Sequence, residues 1–173
     1  MKNTLLKSKA VSMQQASRGD RIASVKMIVF TIGNFDLALP IEIVYKVLNQ
    51  LPVYGSGLNG VGVAHVGDLE VTVIDLHRQL FQSSIINETS QKGYLLILHS
   101  KSGELYGIPV ASVPVLIDLP LDSIRVLPES YRSGDILQMA THVCYLPDEE
   151  PPLTIFLVNP EQMLHGSSST SRE

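Results

Sequence analysis

Aliphatic runs broken by Gly, Pro and Asn/Asp dominate the chain, and helical spacing is confined to short stretches. Residues 27–32 (Met-Ile-Val-Phe-Thr-Ile) form a nearly unbroken β-prone run, which predicts a strand buried on both faces. Gly33-Asn34-Phe35-Asp36 turns the chain into Leu37-Ala38-Leu39, a hairpin. Pro40 lacks an N–H and is expected to stop the ladder. Ile41 and Val44 then lie three apart, on one face of a helical turn. A third strand is expected over residues 44–51, a Gly-rich loop over 52–62, and a strand pair over 63–66 and 69–74 around Gly67-Asp68. Asp75 is placed to cap a short helix over residues 76–81.

The second half repeats this scheme. Residues 94–99 and 104–108 predict a hairpin, with Pro109 as its stop, and further strands are expected at 113–117 and 123–126. Residues 136–146 are β-prone, and 153–158 predict the last strand. Asn159 caps a helix that begins with Pro160, in the first-turn position where a missing N–H costs nothing. Leu37-Ala38-Leu39-Pro40-Ile41-Glu42-Ile43-Val44 is echoed by Tyr106-Gly107-Ile108-Pro109-Val110-Ala111-Ser112-Val113, with both prolines and both terminal valines 69 positions apart. Two copies of a small β-module follow from this. Their polar spacers differ, Glu42-Ile43 against Ala111-Ser112, which leaves room for two different partners.

Composition narrows the class. With 173 residues, 45% hydrophobic and 17% charged, the chain is long enough to bury a core without a disulfide or metal staple. Its single cysteine, Cys144, excludes an internal disulfide and fits a reducing, cytoplasmic setting. No apolar run is long enough to span a bilayer, and Lys7, Lys9, Gln14 and Gln15 interrupt the N-terminal stretch, so neither membrane insertion nor a secretory leader is expected. Charge is segregated. Residues 1–26 hold Lys2, Lys7, Lys9, Arg18, Arg21 and Lys26 against Asp20, whereas the remainder is acidic. An acidic body argues against nucleic acid as a partner. Residues 1–25 read as a disordered basic tail, with 166–173 as a second, Ser-rich one.

Catalytic chemistry finds little purchase. Gly55-Ser56-Gly57-Leu58-Asn59-Gly60 matches G-x-G-x-x-G, but the residues after it are β-prone, whereas a pyrophosphate needs a helix N-terminus there. His142-x-Cys144 places two ligand types on one face of a strand, without a third. Asp75 and His77 share a short helix but have no identifiable nucleophile. No catalytic residue, cofactor or metal is therefore assigned. The competing reading is a ligand-binding or hydrolytic β-barrel that uses His77, His142 or Cys144.

Met27-Ile28-Val29-Phe30-Thr31-Ile32-Gly33 with Leu37-Ala38-Leu39-Pro40-Ile41 and Val44 resembles the opening of CheW-like domains. Gly62-Val63-Ala64-His65 with Val73-Ile74-Asp75-Leu76 resembles that family's central segment. Residues 107–113 resemble its second hairpin, and Ile155-Phe156-Leu157-Val158 with Leu164 its closing strand and helix, so the likeness spans residues 26–165. The resemblance implies a mostly β fold of two intertwined five-stranded barrel lobes with short capping helices. It also implies a non-enzymatic adaptor between the cytoplasmic domain of a chemoreceptor and the regulatory domain of a CheA-type histidine kinase. The chain departs from the family pattern where Arg-Gly is common, carrying Gly67-Asp68, and it has Lys46 where an acidic residue is common. Those departures suggest a divergent member, or a decoy that binds one partner only. Partner contacts are expected at Val44 and Lys46 beyond the first Pro stop and at His65 and Gly67 near the strand turn. Val44→Asp is expected to weaken binding without unfolding the chain.

Overall fold

The computed structural model describes residues 22–49, 52–55, 60–84, 93–132 and 137–165. In the first half, β1 (Ser24–Ile32) and β2 (Phe35–Pro40) form a hairpin in register from Ile32↔Phe35 to Met27↔Pro40. Gly33 permits the tight turn because its φ of +60° is one that a residue with a Cβ resists. A 3₁₀ turn, Ile41–Ile43, follows Pro40 and delivers the chain to β3 (Val44–Asn49). β4 (Val61–Val66) and β5 (Leu69–Ile74) make the second hairpin. α1 (Leu76–Phe81) is capped by Asp75, whose Oδ1 accepts the Arg78 N–H at 2.9 Å.

The second half runs β6 (Tyr94–His99), β7 (Leu105–Val110), β8 (Val115–Pro120), the 3₁₀ turn Leu121–Ser123, β9 (Ile124–Val126), β10 (Ala140–Leu146), β11 (Leu153–Val158) and α2 (Pro160–His165). Several expected boundaries need correction. β7 continues through Pro109 to Val110, with Leu95 opposite the proline. Pairing with β5 stops after Gly107, so one side of β7 carries no ladder at Pro109 and a proline is tolerated. The strand expected at 113–117 lies at Val115–Pro120, and Pro120 leads into a 3₁₀ corner like the one after Pro40. The N-terminal tail expected over residues 1–25 is shorter at its inner end, because Ser24 and Val25 already pair with Pro120 and Leu119 in β1. Residues 1–21 and 166–173 and the middle of the Gly-rich loop lie outside the described residues.

The hairpins are exchanged between halves. One sheet has the order β8-β1-β2-β11-β10-β9, the other β3-β6-β7-β5-β4. Each therefore takes its central hairpin from one half of the chain and its remaining strands from the other. In each, the strand just before a capped helix lies parallel to the hairpin's second strand, β11 beside β2 and β5 beside β7. The lobes are thus β-rich and intertwined, with two short helices, as expected. The strand count differs in one of them, because β9 adds a sixth strand at its edge.

Exchange fuses the cores. Phe30, Ile32, Leu37 and Leu39 of one sheet share a cluster with Leu96, Leu98, Ile108 and Val110 of the other, closed by Leu76, Met163 and Leu164 from the helices. Smaller clusters lie within each sheet, one around Val29, Ile117, Cys144 and Ile155 and one around Val71, Val73, Leu95 and Ile97. Asp75 is the buried polar side chain of the described core, and its second oxygen accepts the Ser84 hydroxyl. Asp75→Ala removes the carboxylate that accepts the Arg78 N–H and the Ser84 O–H. It is expected to cost about 1–3 kcal/mol of unfolding free energy, with Asp75→Asn costing under about 1, as read by thermal denaturation.

Candidate functional site: the groove between the lobes

The exchanged topology creates two seams at which a hairpin turn of one lobe meets the helix that closes the other. The first is sealed by aromatics. A Cβ on Gly33 would stand 2.5 Å from the Phe81 ring, so only glycine lets the β1–β2 turn sit this close to α1. Phe81 stacks on Phe35 at 6.1 Å, and Phe35 meets Phe156 edge-on at 6.0 Å. The second seam stays open. There the β6–β7 turn approaches α2 through a polar contact, the Lys101 N–H donating to Glu161 Oε1 at 3.3 Å. Between them runs a groove of about 540 Å³. Its walls are Glu42 and Ile43 of the 3₁₀ turn, His99 to Lys101 at the end of β6, Thr141 and Val158 of β10 and β11, and Asn159 to Glu161 at the start of α2.

Of the two register shifts in the described strands, the one on β10 lies in the groove wall and the one on β3 lies next to His99, which lines it. On β3 the pairing steps from Val44↔Leu98 to Lys46↔Ile97, leaving Tyr45 as the extra residue. On β10 it steps from Ala140↔Val158 to His142↔Leu157, leaving Thr141. A bulge re-aims its side chain and interrupts the ladder, a device common beside binding sites. Tyr45, 44% exposed, meets His99 edge-on at 5.1 Å, and the Lys46 ammonium lies 5.4 Å from the Tyr45 ring centre. Thr141 donates its hydroxyl to the Leu157 carbonyl at 3.3 Å, and His142 Nδ1 lies 2.9 Å from that hydroxyl.

Acidic groups gather at the α2 end. Glu104 accepts hydrogen bonds from Tyr106 and Ser102, each at 3.1 Å. Burial, then the Glu104 hydrogen bond and the charges of Glu104 and Glu161, push the Tyr106 hydroxyl pKa up.

The four residues singled out from sequence fall in two places. Val44 and Lys46 are on β3, and His65 and Gly67 belong to β4 and its turn, at the opposite end of that sheet's strand order. Lys46 and His65 are exposed, and His65 sits 6.2 Å from the Tyr54 ring. Gly67, with φ +63°, faces open space. Val44 is half-buried and packs on the shared core. A carboxylate there meets apolar neighbours, so Val44→Asp is now expected to lower stability as well as disturb the surface. Sequence reasoning missed Tyr45, His99, Thr141 and Glu161. The one available signal was the divergent spacer Glu42-Ile43, which does line the groove.

The catalytic alternatives find no support in the geometry. Cys144 is wholly buried, and burial, with the Asp122 charge, pushes its thiol pKa up to about 11, so it is protonated near neutrality. Below pH 9 this group leaves stability unchanged. Between about 9 and about 11 the unfolded thiol loses its proton first, so stability falls as pH rises through that window. Alkaline unfolding of wild type against Cys144→Ala checks the sign. His77 Nδ1 lies 2.6 Å from the Ser83 carbonyl, while the Asp75 carboxylate is engaged by Arg78 and Ser84, so the pair is not coupled as base and orienter. Among the described residues no group of three His, Cys, Asp or Glu side chains is arranged for a metal. Gly60 leads into β4 rather than a helix, and residues 56–59 lie outside the described residues.

With two exchanged β lobes and an open seam between them, the architecture is that of a β-rich interaction module. The sequence matches the CheW-like domain over residues 26–167, and the chain belongs to that family. Its fold is similar to the crystal structure of the scaffolding protein TtCheW from Thermoanaerobacter tengcongensis, with a TM-score of 0.64 at 17% identity, covering 82% of this chain and 88% of that one. No curated protein sequence matches the chain. Among the described residues no helix is long and apolar enough to cross a membrane.

Proposed function

We propose that this protein is a non-enzymatic cytoplasmic adaptor that joins the cytoplasmic domain of a chemoreceptor to the regulatory domain of a CheA-type histidine kinase. The observation that carries the reading is the open groove between lobes in a chain of the CheW-like family. Concave, mixed-polarity walls drawn from both lobes suit a helical segment, which lays apolar side chains over Ile43 and Val158 and polar ones against Glu42 and Glu161. The strand surfaces around Lys46 and around His65 and Gly67 remain as proposed contact patches for the second partner.

A decoy that binds one partner is the second reading, favoured by Gly67, which offers no side chain at the β4–β5 turn. Pairwise calorimetry with a chemoreceptor cytoplasmic fragment and with the kinase regulatory domain separates the two. The adaptor binds both, the decoy one, and binding to neither sinks the proposal. Ser100→Trp places an indole at the groove wall and is expected to weaken the receptor fragment at least about tenfold while leaving the kinase titration unchanged.

A further inference from the structure

We propose that the basic segment preceding β1, residues 1–21, is an internal ligand of the open groove and competes there with outside partners. Its charge is the first ground. Lys2, Lys7, Lys9, Arg18 and Arg21 stand against Asp20 alone, while the chain as a whole carries a net charge of −4. The groove walls contribute Glu42 and Glu161 against Lys101 and His99, and Glu161 and Glu104 both act on the Tyr106 hydroxyl. The next cation along the chain, Lys26 of β1, is already paired, its Nζ meeting Asp118 of β8 at 3.2 Å.

Attachment is the second ground. The chain is tied down as far as Ala23, whose carbonyl accepts the Leu121 N–H at 2.9 Å. The register Met27↔Pro40 sets the first residues of β1 beside the 3₁₀ turn Ile41–Ile43, which β1 touches. That turn supplies Glu42 and Ile43 to the groove. The segment therefore enters the body at the Pro120–Leu121 corner, on the strand that separates β8 from β2 and touches the turn supplying Glu42 and Ile43.

Length is the third. A segment of 21 residues reaches at most roughly 70 Å when extended, whereas a body of this size has a radius of gyration of about 15 Å. Tethering of this kind gives effective concentrations on the order of millimolar, so ion pairs too weak to matter between separate molecules are populated within one. Such contacts between exposed charges are screened once the Debye length falls to a few ångströms. The contact itself does not depend on the adaptor reading, although its consequence, competition for the groove, does.

The test uses the full chain carrying a nitroxide on Ser8→Cys. Cys144 is buried and protonated at neutral pH and stays unlabelled. At low ionic strength, amide resonances of His99, Ser100, Lys101 and Glu161 are expected to lose at least about half their intensity. They are expected to recover in about 0.5 M salt, where the Debye length is roughly 4 Å. They are also expected to recover in Glu42→Gln/Glu161→Gln. Broadening spread evenly over the body, centred on the acidic turn at Asp148 to Glu150, or indifferent to salt overturns the proposal. So does pelleting of the chain with anionic phospholipid vesicles while the groove amides stay sharp, which assigns the segment to a membrane surface. Broadening at the groove in a chain that binds no receptor fragment upholds this inference and removes the adaptor reading alone.

Discussion

Leu98→Ala is expected to lower the unfolding free energy by about 2–5 kcal/mol and to loosen both lobes together. Leu98 is fully buried on β6, between Val44 of β3 and Tyr106 of β7, and it belongs to the cluster shared by the two sheets. Truncation removes the transfer energy of its methyl groups and leaves a cavity whose walls come from both lobes. A site walled by two exchanged hairpins collapses poorly, which points to the upper part of that range. Cys144 reports the coupling, because it lies in the other sheet. If its labelling requires opening of the whole fold, the rate at fixed pH rises by roughly 30-fold to several thousand-fold in the variant, following the lost stability. Independent lobes predict instead an unchanged Cys144 rate with a second, earlier transition from the five-stranded sheet. A paired control is Leu95→Ala, which opens a cavity confined to that sheet's own cluster.

Tyr45→Ala is expected to weaken receptor-fragment binding by about tenfold or more while moving stability by less than about 0.5 kcal/mol. Tyr45, the extra residue of the β3 bulge, sets its exposed ring edge-on against His99 of the groove wall. Truncation removes the brace on that imidazole, whereas an exposed ring adds little to the fold. Because Tyr45 acts through His99, the double variant Tyr45→Ala/His99→Ala is expected to lose less affinity than the two single losses together. Additive losses in calorimetric titrations would assign Tyr45 a direct contact of its own.

Much of this architecture is legible in the amino-acid pattern where the cause is local. Continuous aliphatic runs mark β1 and β6, Asp75 marks the start of α1, and Pro160 marks the first turn of α2. The turn after Pro40 follows from Ile41 and Val44 standing three apart. Legibility fails where pairing is distant. Nothing in residues 24–40 says that their hairpin will join strands from the second half, because alternation and turn chemistry specify a strand but not its neighbour. Pro109 shows the same limit. A proline reads as a stop, yet β7 has lost its β5 neighbour by that point and carries it without conflict. The groove is hidden for a related reason. Its walls come from four separate stretches, and Thr141 in one wall and Tyr45 against His99 of another both stand at one-residue register shifts that no periodicity announces. Lys46 stands out in the pattern because it follows the first Pro stop, while Tyr45 beside it carries no mark that separates it from an ordinary strand residue.

The most direct measurement is co-sedimentation of the full chain with a chemoreceptor cytoplasmic fragment and a CheA-type kinase. The kinase is expected to enter the receptor pellet in greater amount when the chain is present, and Tyr45→Ala is expected to remove this gain. A pellet whose kinase content is indifferent to the chain, or a chain that stays in the supernatant with both partners present, would contradict it.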